Sequence, residues 1–139
     1  MPETITQITR IVFDLSKSDQ EAISLHPVAG ALGDMPKMDD RFAMQKYRNG
    51  YFSLRDFPEM GVGQIDWETG DLKVHSLQGA AAQEPLFVPR SADGAEGDGF
   101  ILTVVDRMAE RRADLLILDG HDVSRPPLAT VKLPFASPM

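Results

Sequence analysis

The sequence predicts an all-β chain built from antiparallel, four-stranded units of about fifty residues, and three observations predict it. Apolar and β-branched residues fall in short runs, and helical periodicity is scarce. Clusters of Ser, Asp, Gly and Pro separate these runs in pairs, as hairpins require. The pairs also recur at a fixed spacing, as "IVFDLSKSDQEAISL", "GQIDWETGDLKVHSL" and "LLILDGHDVSRPPLATVKL", marked by Asp14, Asp66 and Asp119. The separations are 52 (66 − 14) and 53 (119 − 66) residues. A period of that size carrying β-hairpins is the size of a propeller blade.

Taken in order, the first hairpin turns at 16–19 and supplies half a blade over residues 1–30. A whole blade over 31–82 follows, with strands in "DMPKMDD", "QKYRNGYFSL", "GVGQIDW" and "DLKVHSL" and a turn at 68–71. A second whole blade covers 83–136, with strands at about 84–89, 100–106, 113–119 and 128–133 and a turn at 120–126. The next unit is expected to open at 137–139, where the sequence stops. A propeller closes a ring of typically four to eight blades. Two and a half blades leave strand edges exposed, so the expectation is part of a larger propeller or a reorganised open sheet or sandwich.

The 139 residues make one β region rather than two domains. With 42% hydrophobic and 25% charged residues, the composition is that of a globular protein, not a disordered one. The absence of cysteine removes disulfides, thiolate metal sites and a Cys nucleophile. A net charge of −7 argues against nucleic acid as a partner, and the basic "RMAERR" (107–112) reads as a solvated hairpin tip. No apolar run has the length of a transmembrane segment, and "MPETITQITR" lacks the features of a signal peptide, so a cytoplasmic location is expected.

Candidate chemistry is sparse. His26, His75 and His121 lie 49 and 46 residues apart, match no local metal pattern, and read as solvated surface histidines. No G-x-S-x-G occurs, and the glycines of "GVG" and "GAEGDG" precede no helix, so neither a nucleophile elbow nor a phosphate loop is supported. Trp67, Phe13, Phe52 and Phe100 fall in strands and read as packing residues. Two carboxylates remain. Asp34 and Glu84, 50 residues apart, open the first strand of successive blades, the innermost strand of a propeller. Carboxylates converging there would repel each other unless something cationic stands between them.

The segments "EPLFVPR", "GDGFILTVV", "LLILDGHDV" and "PLATVKLP" together resemble the C-terminal region of the carotenoid cleavage oxygenases. The resemblance extends upstream through "DMPKMDDRFAMQKYRNGY" and "ITRIVFDL", covering nearly the whole chain in order. It implies part of a seven-bladed propeller with iron(II) on its axis, held by four histidines. It also implies cleavage of a conjugated C=C bond of an apolar carotenoid, apocarotenoid or stilbene by dioxygen. None of the three histidines present corresponds to a ligand, so the chain alone is expected to hold no metal. By the same resemblance Glu84 and Asp34 correspond to residues that orient iron-bound histidines, Asp34 being one methylene shorter than the usual Glu. The expected partners are the missing blades, or further copies joined through exposed edges. The rival reading is a stand-alone, non-catalytic β-module with a structural or binding role.

Overall fold

The computed structural model describes residues 6–55 and 60–135, all in β-strands, short 3-10 turns and loops. Strands β1 (Gln7–Phe13), β2 (Ile23–Lys37), β3 (Asn49–Leu54), β4 (Gly61–Asp66) and β5 (Leu72–Ser76) lie side by side in that order, all antiparallel. In the second sheet β8 (Gly99–Arg107) and β9 (Arg112–Asp119) form the centre. There β10 (Ala129–Lys132) flanks β9, while β6 (Ala81–Ala82) and β7 (Leu86–Pro89) share the free side of β8. The strands expected at 84–89, 100–106, 113–119 and 128–133 are thus present within two residues at each end. Beyond the expectation, the structure adds β6 and 3-10 turns at Asp19–Ala22, Asp40–Phe42 and Met108–Glu110.

The three marker aspartates have one physical role. Asp14 accepts the backbone N–H of Ser16 at 3.0 Å, Asp66 that of Glu68 at 2.9 Å, and Asp119 that of His121 at 3.0 Å. Each side chain closes a turn two residues ahead of itself, which frees the chain to reverse after the strand. The repeat is therefore one of turn chemistry.

β2 is the unusual strand, because it changes partner midway. Residues 23–27 and Leu32 pair with β1, whereas Gly33, Asp34 and Lys37 pair with β3. The β1 ladder breaks between Pro27 and Leu32, around Gly30, whose φ of +76° suits a residue without a Cβ. Residue 30, where the sequence reading divides one blade from the next, lies inside this continuous strand.

Alternation along β3 and β4 builds two cores, one on each face. Tyr51 and Val62 join Phe87, Ile101, Val105, Leu116 and Leu118 of the second sheet and Val123 of the turn after β9. Phe52 and Leu54 pack instead with Ile8 and Ala31, flanked by Trp67 and Leu72. Tyr51 stacks on Phe87 with centroids 5.8 Å apart and planes at 19°, so the two sheets meet through an aromatic pair. Gly63 faces Phe52 across the β3–β4 ladder, and a Cβ there would collide with the ring. Of the aromatic residues read as packing, Phe52 is buried and Trp67 and Phe100 half-buried. Phe13 departs from that reading at 63% exposed, because β1 covers nothing on that face.

Candidate functional site: two carboxylates on bulged strands

Glu84 stands in a break between β6 and β7. Ala82 pairs with Val105 and Leu86 with Leu102, so three residues on this side oppose two on β8. That is a one-residue bulge, a device that re-aims a side chain and interrupts the ladder. Pro85 fits the bulge because it has no N–H to leave unpaired, and its ring is fully buried. The backbone of Gln83 is fastened on both sides. Its N–H donates to Val104 O at 2.8 Å, while its carbonyl accepts the hydroxyls of Ser53 at 2.6 Å and Thr103 at 2.9 Å. The Gln83 amide donates to Asp106 at 3.0 Å.

Asp34 occupies a parallel position. Asp34 pairs with Ser53 and Lys37 with Tyr51, so two residues of β2 oppose one of β3. This second one-residue bulge contains Met35, at φ +54°, and Pro36. Asp34 lies within β2 rather than at its start, and Glu84 lies two residues before β7.

Each carboxylate has its own cation. Lys37 Nζ lies 2.7 Å from Glu84 Oε1, joining the two units, and Arg55 Nε lies 3.1 Å from Asp34 Oδ1. The hydrogen bond to Glu84, aided by its charge, raises the Lys37 pKa, so the ammonium stays charged. The Glu84 side chain remains 57% exposed and that of Asp34 39%. A carboxylate offers about four lone-pair sites, so each has room for a further donor.

The acidic, glycine-rich loop ahead of β8 is tied to the preceding unit. Arg41, held by the buried Asp39, donates to the carbonyls of Ser91 and Ala92 at 2.9 Å and Gly94 at 3.1 Å. Glu96 accepts the backbone N–H groups of Arg48 at 2.7 Å and Asn49 at 2.6 Å. At the opposite hairpin tip, Arg107 and Arg112, two of the three arginines of "RMAERR", both pair with the buried Asp114.

The histidines do not converge. His26 and His121 are exposed, His26 within reach of Ser24 Oγ at 3.1 Å. His75 differs from the solvated reading: it is half-buried, and burial pushes its pKa down, opposed by hydrogen bonding to the backbone at Arg125 and Val123. Among the described residues no three His, Asp or Glu side chains cluster as a metal site. The donor set of the described residues therefore does not fit an iron centre by itself, and what they offer is the pair of carboxylates. Sequence reasoning singled out both carboxylates but not the neighbours the structure gives them, Lys37, Arg55, Ser53 and Thr103. One signal was available: Ser53 and Thr103 share the 50-residue spacing of Asp34 and Glu84 (103 − 53 and 84 − 34).

The sequence model of the family described as "Retinal pigment epithelial membrane protein" matches residues 2–139. An isoeugenol monooxygenase of Pseudomonas nitroreducens is 40% identical over 147 residues, which cover 96% of this chain and 30% of that protein. A lignostilbene-alpha,beta-dioxygenase isozyme III of Sphingomonas paucimobilis is 32% identical, over 90% of this chain and 29% of its own. Among solved structures, a mutant Synechocystis apocarotenoid oxygenase superposes with a TM-score of 0.83 at 26% identity, over 96% of this chain and 28% of that one. The Pseudomonas brassicacearum lignostilbene dioxygenase gives 0.82 at 27%, over 94% and 30%. A cobalt-substituted form of the Synechocystis enzyme also matches, at 0.82 and 25% identity over 94% of this chain. The chain spans about 30% of the length of these relatives. This all-β chain of antiparallel blades belongs to the carotenoid oxygenase (retinal pigment epithelial membrane protein) family and forms part of that family's β-propeller.

Proposed function

We propose that this chain is part of a non-haem iron(II) dioxygenase that cleaves a conjugated C=C bond of a carotenoid, apocarotenoid or stilbene. The isoeugenol names among its relatives extend that class to a phenylpropene. The division into a half blade (1–30) and two blades (31–82 and 83–136) belongs to the same reading. Iron(II), when bound, supplies the activation of dioxygen. The task of this chain is to orient. Glu84, and less directly Asp34, accept the ring N–H of histidines supplied by blades outside this chain, fixing their tautomer and aim. The observation that carries this reading is the repeated bulge: each carboxylate stands at a one-residue break in its ladder, beside a cation. Lys37 contacts Oε1 of Glu84, which leaves Oε2 for an imidazole.

The stand-alone module is disfavoured by the apolar face of β1 and β2, which nothing among the described residues covers. The test is Glu84→Gln in the intact, iron-loaded protein. Its amide has nearly the same shape without the charge, and the expected loss is about 10–100-fold in iron(II) affinity with the fold unchanged. Asp34→Asn should cost less, since a shorter side chain already held by Arg55 reaches an imidazole through water. Full iron affinity in Glu84→Gln returns Glu84 to an ordinary surface carboxylate paired with Lys37.

A further inference from the structure

We infer that Ser53 and Thr103 are positioning residues for Glu84: two buried hydroxyls from neighbouring units that set the direction of its carboxylate by holding the carbonyl of Gln83. This rests on the reading of Glu84 given above.

A bulge removes ladder hydrogen bonds, so the backbone around Glu84 needs other partners to keep one geometry. Ser53 and Thr103 provide them. Their residues are 0% and 2% exposed, so each hydroxyl must find an acceptor inside the protein or suffer the penalty of an unpaired buried group. Thr103 has an alternative acceptor in Val104 O, yet at 3.3 Å that contact is longer than the 2.9 Å to Gln83. Ser53 reaches out of its own unit, 30 residues along the chain, to the same oxygen at 2.6 Å. The peptide plane links the Gln83 carbonyl rigidly to the nitrogen and Cα of Glu84. Pinning that oxygen from two sides therefore fixes where the Glu84 side chain departs.

The far end of Glu84 is held as well, by Lys37. Lys37 and Ser53 both lie in the 31–82 unit, so that unit grips Glu84 of the next one at its backbone and at its carboxylate. An acceptor aligned on an imidazole N–H must hold its place to within about 0.5 Å, which a bulge supported only by its own strand does not guarantee. Ser53 also pairs directly with Asp34 across the β2–β3 ladder, so one residue adjoins both carboxylate positions.

The test begins with the 139-residue chain and needs no metal. The 15N shift of Lys37 Nζ reports its pairing with Glu84, and Glu84→Gln supplies the unpaired reference. Ser53→Ala/Thr103→Val should move Lys37 most of the way to that reference, with the β circular dichroism retained. Each single variant should move it part of the way, which keeps the test decisive if the double variant folds poorly. Thr103→Ser, which keeps the hydroxyl, should stay at the native position. An unmoved Lys37 resonance in all three hydroxyl-deleted chains overturns the inference. In the intact protein, chelator competition should show iron(II) bound about 10-fold more weakly by the double variant, and no further loss when Glu84→Gln is already present. Native iron affinity in the hydroxyl variants, together with weakened affinity in Glu84→Gln, also overturns the positioning role. If Glu84→Gln itself binds iron normally, the reading of Glu84 falls, and the Lys37 measurement judges the positioning by itself.

Discussion

Gln64 shows how much of this structure depends on single buried polar side chains between units. Its amide nitrogen donates to Asn49 Oδ1 at 3.1 Å, Gly120 O at 3.2 Å and His121 O at 3.3 Å, and its oxygen accepts Val123 N–H at 3.2 Å. Tyr51 adds its hydroxyl to Gly120 O at 2.6 Å. At 4% exposure, Gln64 leaves little room for water to take over its hydrogen bonds. Gln64→Leu keeps the volume and strands the Val123 N–H, so urea unfolding should show a loss of about 1–3 kcal/mol. His75 gives this region a pH dependence. Burial lowers its pKa from the usual 6.5, so the folded state favours the neutral ring while the unfolded chain takes up a proton first. The stability that comes from neutral His75 is complete above about 6.5 and is lost as pH falls through the lower, folded value. Urea midpoints measured from about pH 7 down to about pH 5 should fall, and His75→Gln should flatten that part of the decline.

At the scale of elements, close approach of strands sets the tolerances. Gly63 lies opposite Phe52, which is 1% exposed and whose ring a Cβ at Gly63 would meet. Gly63→Ala should therefore overpack the core between the β1–β2 hairpin and β3–β5, lowering stability by about 1–3 kcal/mol in denaturant titration while the β signal survives. A milder effect would mean that β3 and β4 can separate locally. The same elements show what the sequence carries and what it hides. Turns at the marker aspartates were legible because Asx closure is local, involving a side chain and an N–H two residues on. The partner change of β2 was not. Pro27, Gly30, Gly33 and Pro36 are strand breakers by local rule, yet Ile23–Lys37 is one strand that bends and bulges at them. The bulges at Asp34 and Glu84 were hidden for a related reason, since a bulge is a mismatch between two strands and neither strand records it alone. Both carboxylates were singled out by spacing and resemblance, whereas Lys37 was not, because its pairing with Glu84 bridges 47 residues (84 − 37).

For the whole molecule, the decisive asymmetry lies between the two faces of the first hairpin. Arg10 and Val12 look toward the 31–82 unit, where the Arg10 guanidinium lies 5.8 Å from the centre of the Trp67 ring. On the opposite face Ile11 pairs with Leu25 and Phe13 with Ile23, so all four side chains form one ladder. They are 53%, 62%, 63% and 49% exposed respectively, in a chain whose two other faces of comparable composition are buried in cores. Contiguous exposed apolar surface of this kind marks a contact site, and the outer edge of β1 adds unpaired backbone groups beside it. A blade outside this chain would cover both in an intact propeller; in the 139-residue chain the surface with the same chemistry is another copy. Sedimentation velocity at micromolar concentrations should therefore show concentration-dependent association. Replacing Ile11, Phe13 and Leu25 by Thr keeps β propensity but removes apolar area, and should shift the chain toward monomer without loss of its β circular dichroism. A native chain that stays monomeric across that range would show that this ladder is not a docking face, and would revive the self-sufficient module that its exposure argues against.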